Sequence, residues 1–173
     1  MVAAGAVAPV AAPAAESIFL KLEGVKGESV DSKHKDEIVL LSYTQSWTNP
    51  NSVAGGAGTG KVNCSDIKVT KVIDKSSPIL IMGVATGTHY PKAVITFRQV
   101  GKTQIEYYKV TLTEVLLNAI VQTDASPTDA TSILEQVSMS AAKLKFEYTP
   151  QLANGSRGPT VEFSWDCAAG SKS

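Results

Sequence analysis

The stretch that most restricts this chain is Asp74–Gly87, DKSSPILIMGVATG, the one segment carrying a full set of helix signals. Ser76 or Ser77 suits the amino-terminal cap, and Pro78 suits the first helical position, where its missing N–H is not needed. Gly87 can stop the helix in a left-handed conformation. Between these ends Ile79, Leu80, Ile81, Met82 and Val84 leave almost no polar face. A surface helix shows one apolar stripe, whereas a helix apolar all round is buried. The segment is too short to span a membrane. It is therefore expected to cover a sheet on one side and a second surface on the other, with Ile79, Ile81 and Met82 as candidates for an inter-subunit contact.

Around this helix the pattern has period two, which reads as strands. Ile18, Leu20 and Leu22 alternate with Phe19, Lys21 and Glu23. A second strand is expected over Ile38–Trp47, with Val39, Leu41, Tyr43 and Trp47 on one face, and a third over Lys61–Ile73. After the helix, Ala93, Ile95 and Phe97 alternate with Val94, Thr96 and Arg98, and Gly101-Lys102 reads as a hairpin turn. Gln104–Thr113 returns, Val115–Val121 is too apolar for an exposed edge, and Asp124–Thr131 is a polar loop. Ala142, Leu144, Phe146 and Tyr148 alternate with Lys143, Lys145 and Glu147 until Pro150 ends the strand. Val161, Phe163 and Trp165 form a last short alternation, paired or peripheral. Seven or eight strands and one helix make a mainly β fold: an antiparallel barrel, closed or nearly so, or two packed sheets.

The 173 residues suit one domain, and a formal net charge of zero offers no basic excess for nucleic acid. No apolar run is long enough for a transmembrane helix. The segment 1–16 reads as an Ala/Pro-rich, semi-extended extension; it lacks the basic residues of a secretory signal, and a cleaved leader is the competing reading. Cys64 and Cys167 could pair, but they are too few for a disulfide scaffold, and reduced thiols are the expected state.

Catalytic signals are weak. Gly55–Lys61, GGAGTGK, has the spacing of a phosphate-binding loop, but Val62 occupies the hydroxyl position and a strand pattern follows instead of a helix. His34 and His89 lack metal-ligand spacing with each other or with either cysteine. No catalytic, cofactor or metal site is expected. The polar loop GESVDSKHK is more informative: Gly27, Glu28, Ser29, Asp31, Lys33, His34 and Lys35 mix both charges in a solvated segment. Such an arm can meet complementary charge on another copy and fix its orientation.

FLKLEGVKGESVDSKHKDEIVLLSYTQSW (Phe19–Trp47), GKVNCSDIKVTKVIDKSSPILIMGVATGTH (Gly60–His89), AVITFRQVGKTQIEYYKVTLTEVLLNAI and KLKFEYTPQ (Lys143–Gln151) together resemble the Hcp (haemolysin-coregulated) proteins of bacterial type VI secretion. The resemblance spans residues 17–151, leaving 152–173 as a carboxy-terminal extension. It implies a β-barrel protomer that forms hexameric rings, stacked as the inner tube of a contractile injection machine. It also implies a VgrG-type spike, a contractile sheath and small effector proteins as partners. Such a protein is made in the cytoplasm and exported without a cleaved signal, and the 27–35 loop becomes the candidate ring-to-ring contact. The competing readings are a nucleotide-dependent enzyme and a secreted monomeric β-domain binding sugars or surfaces.

Overall fold

A computed structural model describes residues 16–49, 62–101, 104–124 and 133–173. These hold eleven strands and one helix: β1 Glu16–Leu22, β2 Ile38–Leu40, β3 Ser42–Thr44, β4 Trp47–Thr48, β5 Asn63–Cys64, β6 Ile67–Val72, α1 Ser77–Thr86, β7 His89–Gln99, β8 Glu106–Asp124, β9 Ile133–Tyr148, β10 Val161–Asp166 and β11 Ser171–Lys172. All pairings between them are antiparallel. The GGAGTGK loop, the 1–15 tail, Lys102 of the expected turn and most of the Asp124–Thr131 loop lie outside the described residues.

The main sheet runs β2-β1-β7-β8-β9, and the far edge of β9 is then shared by two strands. β6 pairs with its first half (Val69↔Val137) and β10 with its second half (Phe163↔Phe146). β3 lies beyond β6. The chain itself passes from β2 to β3 at Leu41, whose N–H donates to Thr70 O at 2.7 Å. The result is a nearly closed barrel. It is filled by Leu20, Ile38, Val69, Ile95, Val110, Leu112, Val115 and Met139, all buried. Each such side chain contributes about 1.5–3 kcal/mol by leaving water.

Period two located the strands but misplaced one face. The expected second strand is three pieces, because β2 pairs with β1 whereas β3 pairs with β6. Ile38 and Leu40 point inward, while Val39 and Leu41 are exposed. Both phases of IVLL are apolar, so alternation alone could not choose between them. β8 unites two segments that read separately. Its inward positions are Val110 and Leu112 before Glu114 but Val115 and Leu117 after it. Glu114 has φ 53°, a left-handed residue that inverts which side chains face the core.

α1 ends as expected on Gly87 (φ 62°), with Thr88 N–H donating to Gly83 O at 3.0 Å. Its start differs: Ser76 occupies the cap position but makes no side-chain cap bond. Nor is the helix buried on all sides in the protomer. Ser77, Leu80 and Gly83 face the barrel, whereas Ile79, Ile81 and Met82 are 36%, 44% and 58% exposed. A plug inside the barrel would have hidden all three.

The cysteines also depart from expectation. Cys64 and Cys167 form a disulfide across a sequence separation of 103 residues, with Cα atoms 6.0 Å apart. The fold brings them together although nothing in their spacing shows it. The 152–173 segment supplies β10 and β11, so the last expected alternation is a paired strand.

Candidate assembly surfaces

The loop between β1 and β2 is folded back on the barrel instead of waving in solvent. Gly27 N–H donates to Asp36 O at 2.8 Å, Ser29 N–H to Glu37 O at 3.0 Å and Asp36 N–H to Ser29 O at 2.9 Å. Gly27 is required there: a Cβ would lie 2.4 Å from Glu37 O. The carboxylate of Asp31 accepts from Lys33 N–H and His34 N–H and from Nη1 and Nη2 of buried Arg98, at 2.9 and 2.5 Å. Those Arg98 hydrogen bonds hold the Asp31 carboxyl well below the usual carboxylate range, against the effect of burial. A two-point contact of this kind fixes geometry as well as charge.

His34 was expected in solvent and is buried. Its ring stacks on Phe19 with centroids 4.3 Å apart, and Arg98 lies 5.0 Å from the same Phe19 centroid. His34 Nδ1 is 2.8 Å from Glu37 Oε2, and Nε2 is 3.6 Å from Glu106 Oε1. Phe19 points outward from β1, so the loop covers an apolar ring that the sheet leaves uncovered. Of the seven candidate residues, Gly27, Ser29, Asp31 and His34 anchor the loop. Glu28 ties it to the helix approach by accepting Lys75 N–H at 3.0 Å. Lys33 and Lys35 remain exposed, and between them and Glu28 stands Val30, 97% exposed, which charge pattern alone overlooked. Beside the loop lies an open hollow of about 410 Å³, bounded among others by Lys21, Lys33, Glu37 and Lys92.

The turn into α1 rests on a buried ionic cluster. Lys71 points inward from β6, and its Nζ reaches Glu135 Oε2 at 2.7 Å, Asp74 Oδ1 at 2.9 Å and Ser77 Oγ at 2.9 Å. Ser77 Oγ donates to Glu135 at 2.5 Å, and Gln122 Nε2 donates to Glu135 Oε1 at 2.7 Å. Every proton of the ammonium thus has an acceptor, as a buried cation requires. Burial pushes the Glu135 carboxyl up, and hydrogen bonds from Lys71, Ser77 and Gln122 outweigh it, leaving the group below its ordinary value. The cluster holds the amino end of α1 against β6 and β9. The inward phase of Ile67, Val69 and Lys71 was its only sequence signal.

A third region gathers aromatic rings beside the disulfide. Trp47 meets Phe146 and Trp165 edge-on, at 5.7 and 6.5 Å, and Tyr108 continues the row to Phe97. Among the described residues no group of acidic, histidine and cysteine side chains is arranged for a metal ion. No described helix is long and apolar enough to cross a membrane.

The fold is a nearly closed antiparallel barrel that presents an exposed apolar helix face and an anchored surface loop. The family model of the type VI secretion system effector Hcp matches residues 19–148. Protein hcp1 of Pseudomonas aeruginosa is 38% identical over 156 residues, covering 88% of this chain and 95% of that protein. The crystal structure of Hcp1 from Salmonella typhimurium is similar at TM-score 0.73 and 31% identity, over 90% of this chain and 97% of the other. A structure of a type six secretion system protein shares the fold at TM-score 0.85 and 24% identity, over 92% and 100% of the two chains. The chain belongs to the Hcp family. Membership makes it a tube and effector component of type VI secretion.

Proposed function

We propose that six copies of this protomer close into a ring and that the rings stack as an exported inner tube. The exposed ridge of α1 is the observation that carries the ring. Ile79, Ile81 and Met82 leave the outward face of the helix apolar, Met82 opposite the buried Leu80 and the two isoleucines on its flanks, and such a face in solvent marks a contact surface. A closed ring uses head-to-tail contacts, and stacking needs a second, axial one. The second is the 27–35 loop, where Val30, Lys33 and Lys35 stand free on a base locked by Asp31 and His34. In this reading the stack carries a VgrG-type spike, lies within a contractile sheath and carries small effector proteins. Export proceeds without removal of a leader, and the chain works as a structural protein, not as an enzyme.

Native mass spectrometry with electron microscopy tests the reading. Hexamers and tubes are expected from the full chain. Replacing Asp31, His34 and Lys35 together by Ala is expected to shorten or abolish tubes while leaving the ring. A monomer at every concentration, together with a cleaved leader, would favour a secreted monomeric β-domain that binds sugars or surfaces.

A further inference from the structure

The strands β4 and β5 make a two-stranded ribbon whose ladder is separate from the main sheet (Trp47↔Cys64, Thr48↔Asn63). A ladder this short has little stability of its own in water. It is joined to the β9–β10 half of the barrel by the Trp47 ring contacts and by the Cys64–Cys167 bond. Cys167 directly follows β10, and its N–H donates to Ala142 O at 2.8 Å. One covalent bond therefore clamps the ribbon and the carboxy-terminal strands together.

The closed arrangement also carries a penalty. Among the described residues, Gln45 Nε2, next to the ribbon, and Nε1 of Trp165, whose ring meets Trp47, are buried without a hydrogen-bond acceptor. Lifting the ribbon would return both donors to water, so the aromatic contacts work against a polar cost that the bond helps to offset.

We propose that Cys64–Cys167 is a redox latch that shuts the β4–β5 ribbon over the Trp165–Phe146 aromatic surface when oxidised and frees it when reduced. Closing proceeds by thiol–disulfide exchange with a low-molecular-weight disulfide such as glutathione disulfide. The thiolate of one cysteine attacks the donor, forming a mixed disulfide and expelling one thiolate. The second cysteine thiolate then displaces the other, so the protein pair loses two protons and two electrons and the donor gains them as two thiols. Reducing cytosol holds the pair open and an oxidising exterior shuts it. That setting rests on the secretion reading; the latch itself is a property of a single protomer, and tube formation is scored separately.

Hydrogen exchange on the full-length protein, oxidised and after dithiothreitol, tests the latch. Reduction is expected to speed exchange of the Trp47, Thr48, Cys64 and Cys167 amides at least tenfold, with β1 and β7 amides unchanged. Glutathione disulfide is expected to restore slow exchange. Cys64→Ser and Cys167→Ser are expected to exchange fast in both conditions. Equal rates in the two states would overturn the proposal, since the rings alone would then hold the ribbon. Uniform acceleration through every strand would also overturn it, because the bond would then be a general staple. So would failure of glutathione disulfide to re-form the bond.

Discussion

Replacing Lys71 by Met tests the buried cluster beneath α1. The substitution keeps length and removes the ammonium that bridges Glu135, Asp74 and Ser77. Glu135, with no side-chain exposure, keeps Ser77 and Gln122 as donors but loses its counter-charge. Breaking one side of a buried pair costs about 3–5 kcal/mol. At about 2–4 °C per kcal/mol for a chain of this size, Tm falls by roughly 6–20 °C. The pH dependence carries a sign. In the native protein the Glu135 pKa is depressed, so its contribution is full above the unfolded value and is lost as pH falls. In Lys71→Met, burial without the cation raises that pKa, so the variant loses stability as pH rises instead. The gap between the two proteins therefore narrows as pH falls from neutral into acid. Urea unfolding at a fixed protomer concentration reads both quantities, since assembly makes stability depend on concentration. The double variant Lys71→Met/Glu135→Leu is expected to cost less than the sum of its parts. A single-variant cost below about 1 kcal/mol would refute the reasoning, as would a pH-independent gap.

Met82→Asp is expected to leave a folded protomer, because the side chain is 58% exposed, while breaking the ring; hexamers of normal mass by native mass spectrometry would remove α1 from the interface. Gly27→Ala forces a Cβ against Glu37 O, costing about 1–3 kcal/mol and loosening the loop, with shortened tubes and intact rings expected by electron microscopy. Asp31→Asn is expected to flatten the acid limb of the stability curve. The Arg98-held carboxylate contributes fully above about pH 4 and loses that contribution as pH falls, so an unchanged acid midpoint would contradict it.

The strands that one periodicity describes were readable in the sequence. β1, the Ala93–Phe97 part of β7 and the second half of β9 hold a single inward phase, and Pro78 and Gly87 bracket α1 through local backbone preferences alone. Reading failed where partners lie far away along the chain. The switch of partner at Leu41 depends on β1 and β6, the inversion at Glu114 hides that β8 is one strand, and the disulfide joins residues 103 apart. The 27–35 loop reads as a solvated, charge-mixed arm and is instead anchored on the barrel. Its charges suggested a solvated arm, yet Asp31 and His34 face Arg98 and Phe19, contacts that no local pattern encodes.

The division of one β9 edge between β6 and β10 has a consequence in time. β8 and β9 are successive strands joined by a short connection, so their hairpin closes at little entropic cost. Of the strands added to its outer edge, β10 is near in the chain (Phe163↔Phe146, 17 positions) but β6 is far (Val69↔Val137, 68), and β1 reaches β7 across 75 (Leu20↔Ile95). Such non-local pairing puts folding in the slow, millisecond-to-second range. We predict that the hairpin is the template, that β6 and β10 add to the two halves of its outer edge independently, and that the barrel closes last, when β2 and β3 bridge the gap. Conservative core substitutions at Val110 and Val137 should slow folding, while those at Ile38 should mainly speed unfolding; the reverse pattern would place the nucleus at the β1–β2 closure.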